Sequence, residues 1–231
     1  MANVNYHAVL FDLDGTLVDS GRDIIDSIRF TLDQVFPGRN KPSDEEILLM
    51  VGRPLESIVC ELGYPVDDEN TRRFVDTYRC YYAQHYNDST KPYPGVEAML
   101  QDLKSAGVKL GLVTTKHQTQ AELTLAGLGL AGYFNDVYGW DEGRKHKPDP
   151  EPVRVSLSRI QVAPELALMV GDAELDIQSA TAAGVDTCAV TYGFRPAWFL
   201  KSFNPCFLVA RSADIVPIVI SVGRDEPRFV A

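Results

Sequence analysis

Cysteine is scarce in this chain, and its placement argues against a disulfide-stapled or zinc-binding fold. The four cysteines form no C-x-x-C pair; they are Cys60, Cys80, Cys188 and Cys206. They lie within apolar or amphipathic stretches, a placement typical of buried free thiols in a reducing compartment. We therefore expect four buried, free cysteines in a cytoplasmic protein.

Positive charge and long apolar runs are also in short supply. The sequence has 22 lysine and arginine residues against 32 aspartate and glutamate residues, which gives a formal net charge of −10. This acidic balance argues against nucleic acid or an anionic membrane as the main partner. No apolar run approaches the roughly 20 residues of a membrane helix, and too few residues precede the first predicted strand for a signal peptide. An anionic substrate would need a local cation.

Several common catalytic signatures are absent as well. The sequence contains no Walker-type lysine loop, no G-x-S-x-G elbow and no H-E-x-x-H motif. The stretch 127–132 does match the dinucleotide pattern G-x-G-x-x-G. That motif must follow a strand and open a helix, whereas this stretch follows a helical pattern that begins near His117. We expect its glycines to end that helix, with a left-handed cap.

The most informative stretch of the chain is an apolar run that ends in two carboxylates. The run that begins at His7 has strand length, and Asp12 and Asp14 follow its apolar part. Residues i and i+2 of an extended chain point the same way, so both carboxylates can serve one centre if a cation or shared protons offset their repulsion. Asp-Gly is also a common turn dipeptide, so the run alone fits either an active site or a strand end with an Asx turn.

Two patterns divide the rest of the chain. Residues 20–92 show apolar stripes of helical period and a capping box at 43–46, which predicts a small all-α segment. After residue 92, strand-like runs alternate with amphipathic helices, which predicts βαβ units and a parallel sheet. The predicted strands are 109–115, 136–139, 166–171, 186–190 and 207–210.

The sequence therefore predicts an α/β fold: a Rossmann-like parallel-sheet core with an inserted all-α cap domain. The core would comprise residues 1–19 and 93–231, and the cap residues 20–92. The tail from about Gly223 is predicted to be poorly ordered.

Polar side chains follow other predicted strands just as Asp12 follows the first. Thr114 ends the strand 109–115, Asp172 follows the strand 166–171, and Asp176 lies in the first turn of the next helix. Each has a simple structural explanation, such as a helix cap for Asp172 and Asp176. Parallel strands bring their carboxyl ends to one edge, however, so a single cleft can hold them all. The full set is Asp12, Asp14, Thr114, Lys147, Asp172 and Asp176.

This set favours magnesium and phosphoryl chemistry. Hard oxygen ligands without a histidine or cysteine cluster select Mg²⁺, which keeps several waters and binds substrate phosphate. A phosphoryl group carries charge on its outer oxygens, and Mg²⁺, Lys147, the Thr114 hydroxyl and backbone N–H groups after Asp12 can all stabilise it.

Four ordered motifs resemble those of the haloacid dehalogenase-like hydrolases. They are Asp12-Leu13-Asp14-Gly15-Thr16-Leu17-Val18-Asp19-Ser20, then Thr114, then Lys147-Pro148-Asp149-Pro150, then Gly171-Asp172-Ala173-Glu174-Leu175-Asp176-Ile177. The resemblance spans nearly the whole chain. The helical insertion after the first motif is similar to the small α-helical cap of the phosphoglycolate phosphatases.

The resemblance implies roles for these residues. Asp12 would be the nucleophile that forms an aspartyl-phosphate, and Asp14 would protonate the leaving oxygen and then activate water. Mg²⁺ would be held by Asp12, the backbone carbonyl of Asp14, and Asp172, with Asp176 acting directly or through water. Thr114 and Lys147 would orient the phosphoryl group and compensate its charge.

Substrate identity is less well defined. The chain departs from the family pattern at Thr115, where relatives often carry asparagine, and at Ala173, where serine is frequent. Four residues are candidates for substrate binding: Thr115, Lys116, Arg53 and His117. Arg53 could reach a substrate carboxylate through its planar fork or merely solvate a helix start.

The implied function is a Mg²⁺-dependent phosphatase for a small phosphorylated metabolite, a phosphoglycolate-like phosphomonoester. A phosphosugar mutase similar to β-phosphoglucomutase and a phosphoacceptor signalling domain remain alternatives. Asp14 counts against phosphonate hydrolysis and dehalogenation, which ordinarily lack this carboxylate. A monomer or a homodimer is expected.

Overall fold

The computed structural model describes residues 3–65 and 67–221, so the predicted tail from about Gly223 lies outside the described residues. The strands are β1 (Asn3–Val4), β2 (Ala8–Phe11), β3 (Val18–Asp19), β4 (Lys91–Pro92), β5 (Lys109–His117), β6 (Asp136–Trp140), β7 (Ala167–Gly171), β8 (Asp186–Val190), β9 (Phe207–Val209) and β10 (Ile220–Ser221). The helices are α1 (Gly21–Val35), α2 (Asp44–Leu48), α3 (Leu55–Glu61), α4 (Asp68–His85), α5 (Val96–Ser105), α6 (Gln118–Gly127), α7 (Glu151–Ile160), α8 (Glu174–Ala183), α9 (Ala197–Lys201) and α10 (Val216–Val219).

Six of these strands form one parallel sheet. Their order is β6-β5-β2-β7-β8-β9, with every neighbouring pair parallel. The first strand of the sheet in sequence, β2, lies at its centre, with Phe11 opposite Leu112 on one side and Val170 on the other. The predicted α/β fold class is confirmed, and the five strands predicted after residue 92 match to within two residues at either end.

Burial of β2 on both faces explains its uninterrupted apolar sequence. Val9 and Phe11 pack into a hydrophobic cluster with α5 and α6, and Ala8 and Leu10 pack into another with α7 and α8. Because successive strand residues point to opposite faces, a strand covered by helices on both sides needs an apolar residue at each position.

Residues 20–92, which we call the helical segment, leave and rejoin the core at one place. The two crossings pair as a short antiparallel ribbon, with Val18 opposite Pro92 and Asp19 opposite Lys91. Helices α1 to α4 pack around their own cluster, which includes Ile28, Leu32 and Phe74. The boundaries of this segment as a separate domain stay a prediction.

Two expectations from composition have different outcomes. No helix in the described part of the chain is long and apolar enough to cross a membrane. All four cysteines are free, as expected, but only Cys188 is buried, and the expectation that the others are buried is wrong. Cys60 follows the buried Ile58 and Val59 along α3, and the helical rotation of about 100° per residue carries its side chain to the outer face.

Candidate active site

The sheet brings all six predicted catalytic and metal-binding residues to its carboxyl edge. Asp12 follows β2, Thr114 lies in the last part of β5, and Asp172 follows β7, and these three strands are hydrogen-bonded neighbours. Asp176 lies in the first turn of α8, and Lys147 in the loop before α7. All six are buried, each less than 9% exposed, so the side chains converge in a largely water-excluded place.

Lys147 is the cation at the centre of the cluster. Its Nζ lies 2.7 Å from Asp12 Oδ1 and 2.5 Å from Asp176 Oδ1, and it donates a hydrogen bond to the Val113 carbonyl at 2.9 Å. Burial opposes a charged lysine, but Asp12 and Asp176 raise the pKa of Lys147 above its ordinary value. The side chain therefore stays protonated and aims a fixed positive charge at Asp12.

A close-packed turn holds Asp172 in place. Gly15 has a positive φ of 85°, and a Cβ there would lie 2.3 Å from Asp172 Oδ2, so only glycine fits. Thr16 Oγ1 donates to Asp172 Oδ1 at 3.2 Å, and the Phe194 backbone N–H donates to Oδ2 at 2.7 Å. The Asp-Gly dipeptide of the first motif thus has both a turn role and a packing role.

Asp12, Asp172 and Asp176 form a group that fits a divalent cation. Each offers a carboxylate oxygen, and these three oxygens lie within 4.8 Å of one another. Burial and the neighbouring carboxylates Asp12 and Asp176 raise the pKa of Asp172 to about 8. Burial, and the charges of Asp176 and Asp14, raise the pKa of Asp12 to about 7 against the opposing effect of Lys147. Crowded oxygen ligands of this kind are what Mg²⁺ takes, and a bound cation would offset their repulsion.

We expect the metal-free protein to lose stability as the pH rises from about 5.5 to about 8.5. Asp12 and Asp172 hold protons more tightly in the folded state than in the unfolded chain, where both titrate near 3.8. The bound protons therefore contribute their full stabilisation of the folded state below about pH 3.8. This stabilisation declines as the pH rises and is gone once the pH has passed through about 7 and 8. One pKa unit corresponds to about 1.4 kcal/mol, and about 1 kcal/mol moves the Tm of a chain this long by about 2–4 °C.

Thermal unfolding at about pH 5.5 and about pH 8.5, each in chelator and in excess Mg²⁺, tests this expectation. Mg²⁺ should raise the Tm by several degrees more at the higher pH, because it replaces protons on the same carboxylates. Asp172→Asn, which keeps the shape and removes one of the two groups, should show a shallower decline in chelator. If the gain in Tm from Mg²⁺ does not change with pH in the unsubstituted protein, the assignment of these carboxylates as metal ligands is wrong.

Asp14 has different partners and connects the core with the helical segment. Lys116 Nζ lies 2.9 and 3.0 Å from the two carboxylate oxygens of Asp14, and Ser20 Oγ donates to Oδ1 at 2.6 Å. The same Nζ donates to the phenol oxygen of Tyr82, on α4, at 2.6 Å. Among the described residues, the Asp14 side chain lies outside the three-carboxylate group. This fits the resemblance, in which Asp14 would contribute its backbone carbonyl to the metal rather than its side chain.

The four candidates for substrate binding all line the cleft above this cluster. Thr115 and Lys116 follow Thr114 along β5, and His117 precedes α6. Arg53 comes from the helical segment and is already paired with Glu61, with Glu174 at 3.9 Å. Substrate contact by any of the four stays a prediction, but Lys116 and Arg53 have carboxylate partners that sequence alone did not indicate.

Three groups that hold the site together had no role predicted from the sequence. Ser20 was visible in the first motif but had no assigned role. Tyr82, on α4, packs in the hydrophobic cluster of the helical segment, and its phenol also meets Lys116. Arg195 is buried and donates to Glu174 and to the carbonyls of Leu48 and Val51 in the helical segment. No sequence pattern indicates this role for Arg195, because Leu48 and Val51 lie more than 140 residues away from it along the chain.

The stretch 127–132 ends a helix, as predicted. Helix α6 runs from Gln118 to Gly127, and Gly129 takes a left-handed conformation with φ of 72° just beyond it. A dinucleotide site would need this stretch to open a helix.

Comparisons with known proteins agree with the motifs. The family model described as "Haloacid dehalogenase-like hydrolase" matches residues 9–190. Pyrophosphatase PpaX of Bacillus velezensis is 34% identical over 218 residues, which are 94% of this chain and 98% of the relative. A structure from Clostridium acetobutylicum, described as a predicted phosphatase, has a TM-score of 0.84 at 29% identity and covers 92% of this chain and 97% of its own.

A structure from Haemophilus somnus, described as a predicted phosphoglycolate phosphatase, has a TM-score of 0.82 at 25% identity, with coverage of 93% and 98%. The resemblance and the prediction of a phosphatase are confirmed at the level of the family. The chain belongs to the haloacid dehalogenase-like hydrolases.

Proposed function

We propose that this hydrolase is a Mg²⁺-dependent phosphatase that cleaves a small phosphorylated metabolite, a phosphoglycolate-like phosphomonoester, through an aspartyl-phosphate on Asp12. The arrangement around Asp12 carries the proposal. One oxygen of Asp12 contacts Lys147 Nζ at 2.7 Å, Asp12 is itself part of the three-carboxylate group, and Asp14 follows two residues later. A nucleophile, a fixed cation, a metal site and a second carboxylate are what stepwise phosphoryl transfer requires.

In the first step, an Asp12 carboxylate oxygen attacks phosphorus and the bond between phosphorus and the leaving oxygen breaks. Asp14, having taken up a proton, gives it to that leaving oxygen, so the product leaves as a neutral hydroxyl group. In the second step, Asp14 accepts a proton from water and the water oxygen attacks phosphorus. The bond between phosphorus and the Asp12 oxygen breaks, which releases phosphate and restores the Asp12 carboxylate. Hydrogen bonds from Lys116 and Ser20 keep the Asp14 side chain oriented toward the leaving oxygen and the water.

Charge on the phosphoryl oxygens is met by groups that are already in place. Lys147 and the Thr114 hydroxyl lie at the edge of the sheet beside Asp12, and both are buried. Bound Mg²⁺ would neutralise charge on the phosphoryl oxygens and would be held by Asp12, Asp172 and Asp176, with the backbone carbonyl of Asp14. Groups fixed before the reaction need no reorganisation during it.

Pyrophosphate is a second candidate substrate, because the relative from Bacillus velezensis is named a pyrophosphatase. A phosphosugar mutase also remains an alternative on the same residues. Cytoplasmic location, a monomeric or homodimeric state, and the absence of nucleic-acid and membrane partners stay predictions.

A phosphate-release screen distinguishes these activities. The enzyme with Mg²⁺ is incubated with phosphoglycolate, hexose phosphates, pyrophosphate and 4-nitrophenyl phosphate, with Asp12→Asn as the background. We expect Asp12-dependent phosphate release from phosphomonoesters. Conversion of a hexose phosphate to its isomer with little free phosphate would favour a mutase, and release from pyrophosphate alone would favour the pyrophosphatase.

A further inference from the structure

The cleft above Asp12 is much larger than a phosphoryl group needs. Its volume is about 560 Å³, and Asp12, Asp14 and Lys147 are among the residues that line it. Cavities of this size ordinarily hold ligands with a substantial organic body. The remaining volume is therefore available to the leaving group.

The walls of that remaining volume are mostly apolar and aromatic, with a few polar side chains among them. Half-buried side chains from both the helical segment and the core line it; they are Met50, Val51, Leu55, Tyr78, Trp140 and Phe194. Burial raises the pKa of Tyr78 and Tyr82 well above 10, so both phenols stay neutral. An apolar ligand body that displaces water from such walls lowers the free energy of binding.

The positive charges of the cleft are already neutralised. Five lysine and arginine side chains line it, and each lies within 4.0 Å of a carboxylate. The pairs are Arg53 with Glu61, Arg79 with Glu56, Lys116 with Asp14, Lys147 with Asp12, and Arg195 with Glu174. Arg79 also lies 5.4 Å from the centre of the Trp140 ring. Within the described residues, a second anionic group on the substrate would find no unpaired lysine or arginine there.

A donor without a partner lies in the same wall. Gln120 lines the cleft, and its amide nitrogen is buried with no hydrogen-bond partner in the described part of the chain. An unsatisfied buried donor is costly, and an acceptor on a bound molecule removes that cost. An uncharged leaving group that carries an acceptor would therefore satisfy the Gln120 amide.

We propose that the substrate of this enzyme is a phosphomonoester whose leaving group is uncharged and has an apolar, preferably aromatic, body. This inference rests on the proposed phosphatase function and names its substrate class. It departs from the phosphoglycolate-like substrate named above, because small anionic compounds such as phosphoglycolate and pyrophosphate then rank among the poorer substrates.

Four substrates test the inference by kcat/KM: benzyl phosphate, ethyl phosphate, phosphoglycolate and pyrophosphate, with 4-nitrophenyl phosphate as a check of activity. Benzyl and ethyl phosphate both release an uncharged primary alcohol, and the phenyl ring of the first stands where the second has a methyl group. Phosphoglycolate has a carboxylate at the same position. We expect benzyl phosphate to exceed ethyl phosphate by about tenfold or more, as burial of a ring of this size allows. Phosphoglycolate and pyrophosphate should fall below benzyl phosphate.

A charge introduced into the wall should move this preference. Met50→Arg adds an unpaired cation to the cleft, whereas Leu123→Arg adds the same charge on an exposed face of α6 outside it. The ratio of kcat/KM for phosphoglycolate to that for benzyl phosphate should rise about tenfold in Met50→Arg and stay unchanged in Leu123→Arg. Leu55→Lys provides the same test if thermal unfolding shows that Met50→Arg does not fold.

The outcomes separate the inference from the function on which it rests. If none of the compounds releases phosphate in an Asp12-dependent way, the proposed phosphatase function fails and the inference fails with it. If 4-nitrophenyl phosphate is cleaved but phosphoglycolate or pyrophosphate exceeds benzyl phosphate, the function stands and the inference is wrong. An unchanged ratio in a folded cleft variant would also overturn it.

Discussion

Asp12→Asn should lower kcat by at least about a thousandfold while the protein remains folded. An amide of nearly the same size replaces the carboxylate, but it is a poor nucleophile and cannot form the acyl phosphate. A thousandfold loss corresponds to about 4 kcal/mol of transition-state stabilisation. Lys147 would keep Asp176 at 2.5 Å and the Val113 carbonyl at 2.9 Å, so its charge would remain satisfied.

The measurement compares kcat on 4-nitrophenyl phosphate for the original chain, Asp12→Asn and Asp102→Asn. Asp102 lies exposed on α5, away from the cleft, so that variant controls for the loss of one negative charge. Acid quenching during turnover, followed by intact mass, should find a phosphoryl adduct on the original chain and on Asp102→Asn only. More than about a thousandth of the original kcat in a folded Asp12→Asn variant would show that the nucleophile is misassigned.

The convergence of the site could be predicted because it follows from the parallel direction of the strands. A continuous apolar run predicts a strand buried on both faces, and parallel strands must end at one edge. Asp12, Thr114 and Asp172 were therefore placed together from sequence, and the structure has their strands as neighbours. Lys147 lies in a loop rather than at a strand end; the sequence placed it in the same cleft as a cation near that edge, and its motif agreed with the resemblance.

The contacts between the core and the helical segment could not be predicted in this way. Whether Tyr82 meets Lys116, or Arg195 meets the carbonyls of Leu48 and Val51, depends on how two separately packed units fit together. Helical periodicity assigns a residue to a face but does not say what lies against that face. The same limit explains Cys80, which lies on an amphipathic helix yet faces outward.

Charge pairing in the cleft was hidden from sequence for a related reason. Arg53 and Lys116 were candidates for contacting an anionic substrate, because an acidic protein that binds an anion needs a local cation. In the folded protein, Arg53 instead pairs with Glu61 and Lys116 with Asp14. The count of charges in a sequence thus fixes the overall balance, but only three-dimensional pairing decides which cations remain available to a ligand.

Asp172→Asn should lower kcat about a thousandfold at a Mg²⁺ concentration that saturates the original chain. The substitution removes one of three anionic ligands from the group that fits the cation, so both the affinity for Mg²⁺ and the neutralisation of phosphoryl charge should fall. The metal-free variant should nevertheless be at least as stable as the original chain near pH 8. There the charge of Asp172 is disfavoured by burial and by the carboxylates of Asp12 and Asp176.

Activity therefore falls in this variant while stability in chelator does not, which a general folding defect could not produce. The measurements are kcat against Mg²⁺ concentration, Mg²⁺ binding by titration calorimetry, and Tm in chelator, with Asp102→Asn as the matched control. Excess Mg²⁺ should restore part of the lost rate, since the other two carboxylates remain. Full activity of the original chain in chelator, after thorough removal of metal, would exclude a metal-dependent mechanism. A variant with lost activity and a Tm in chelator well below that of the original chain would instead show that Asp172 serves the fold.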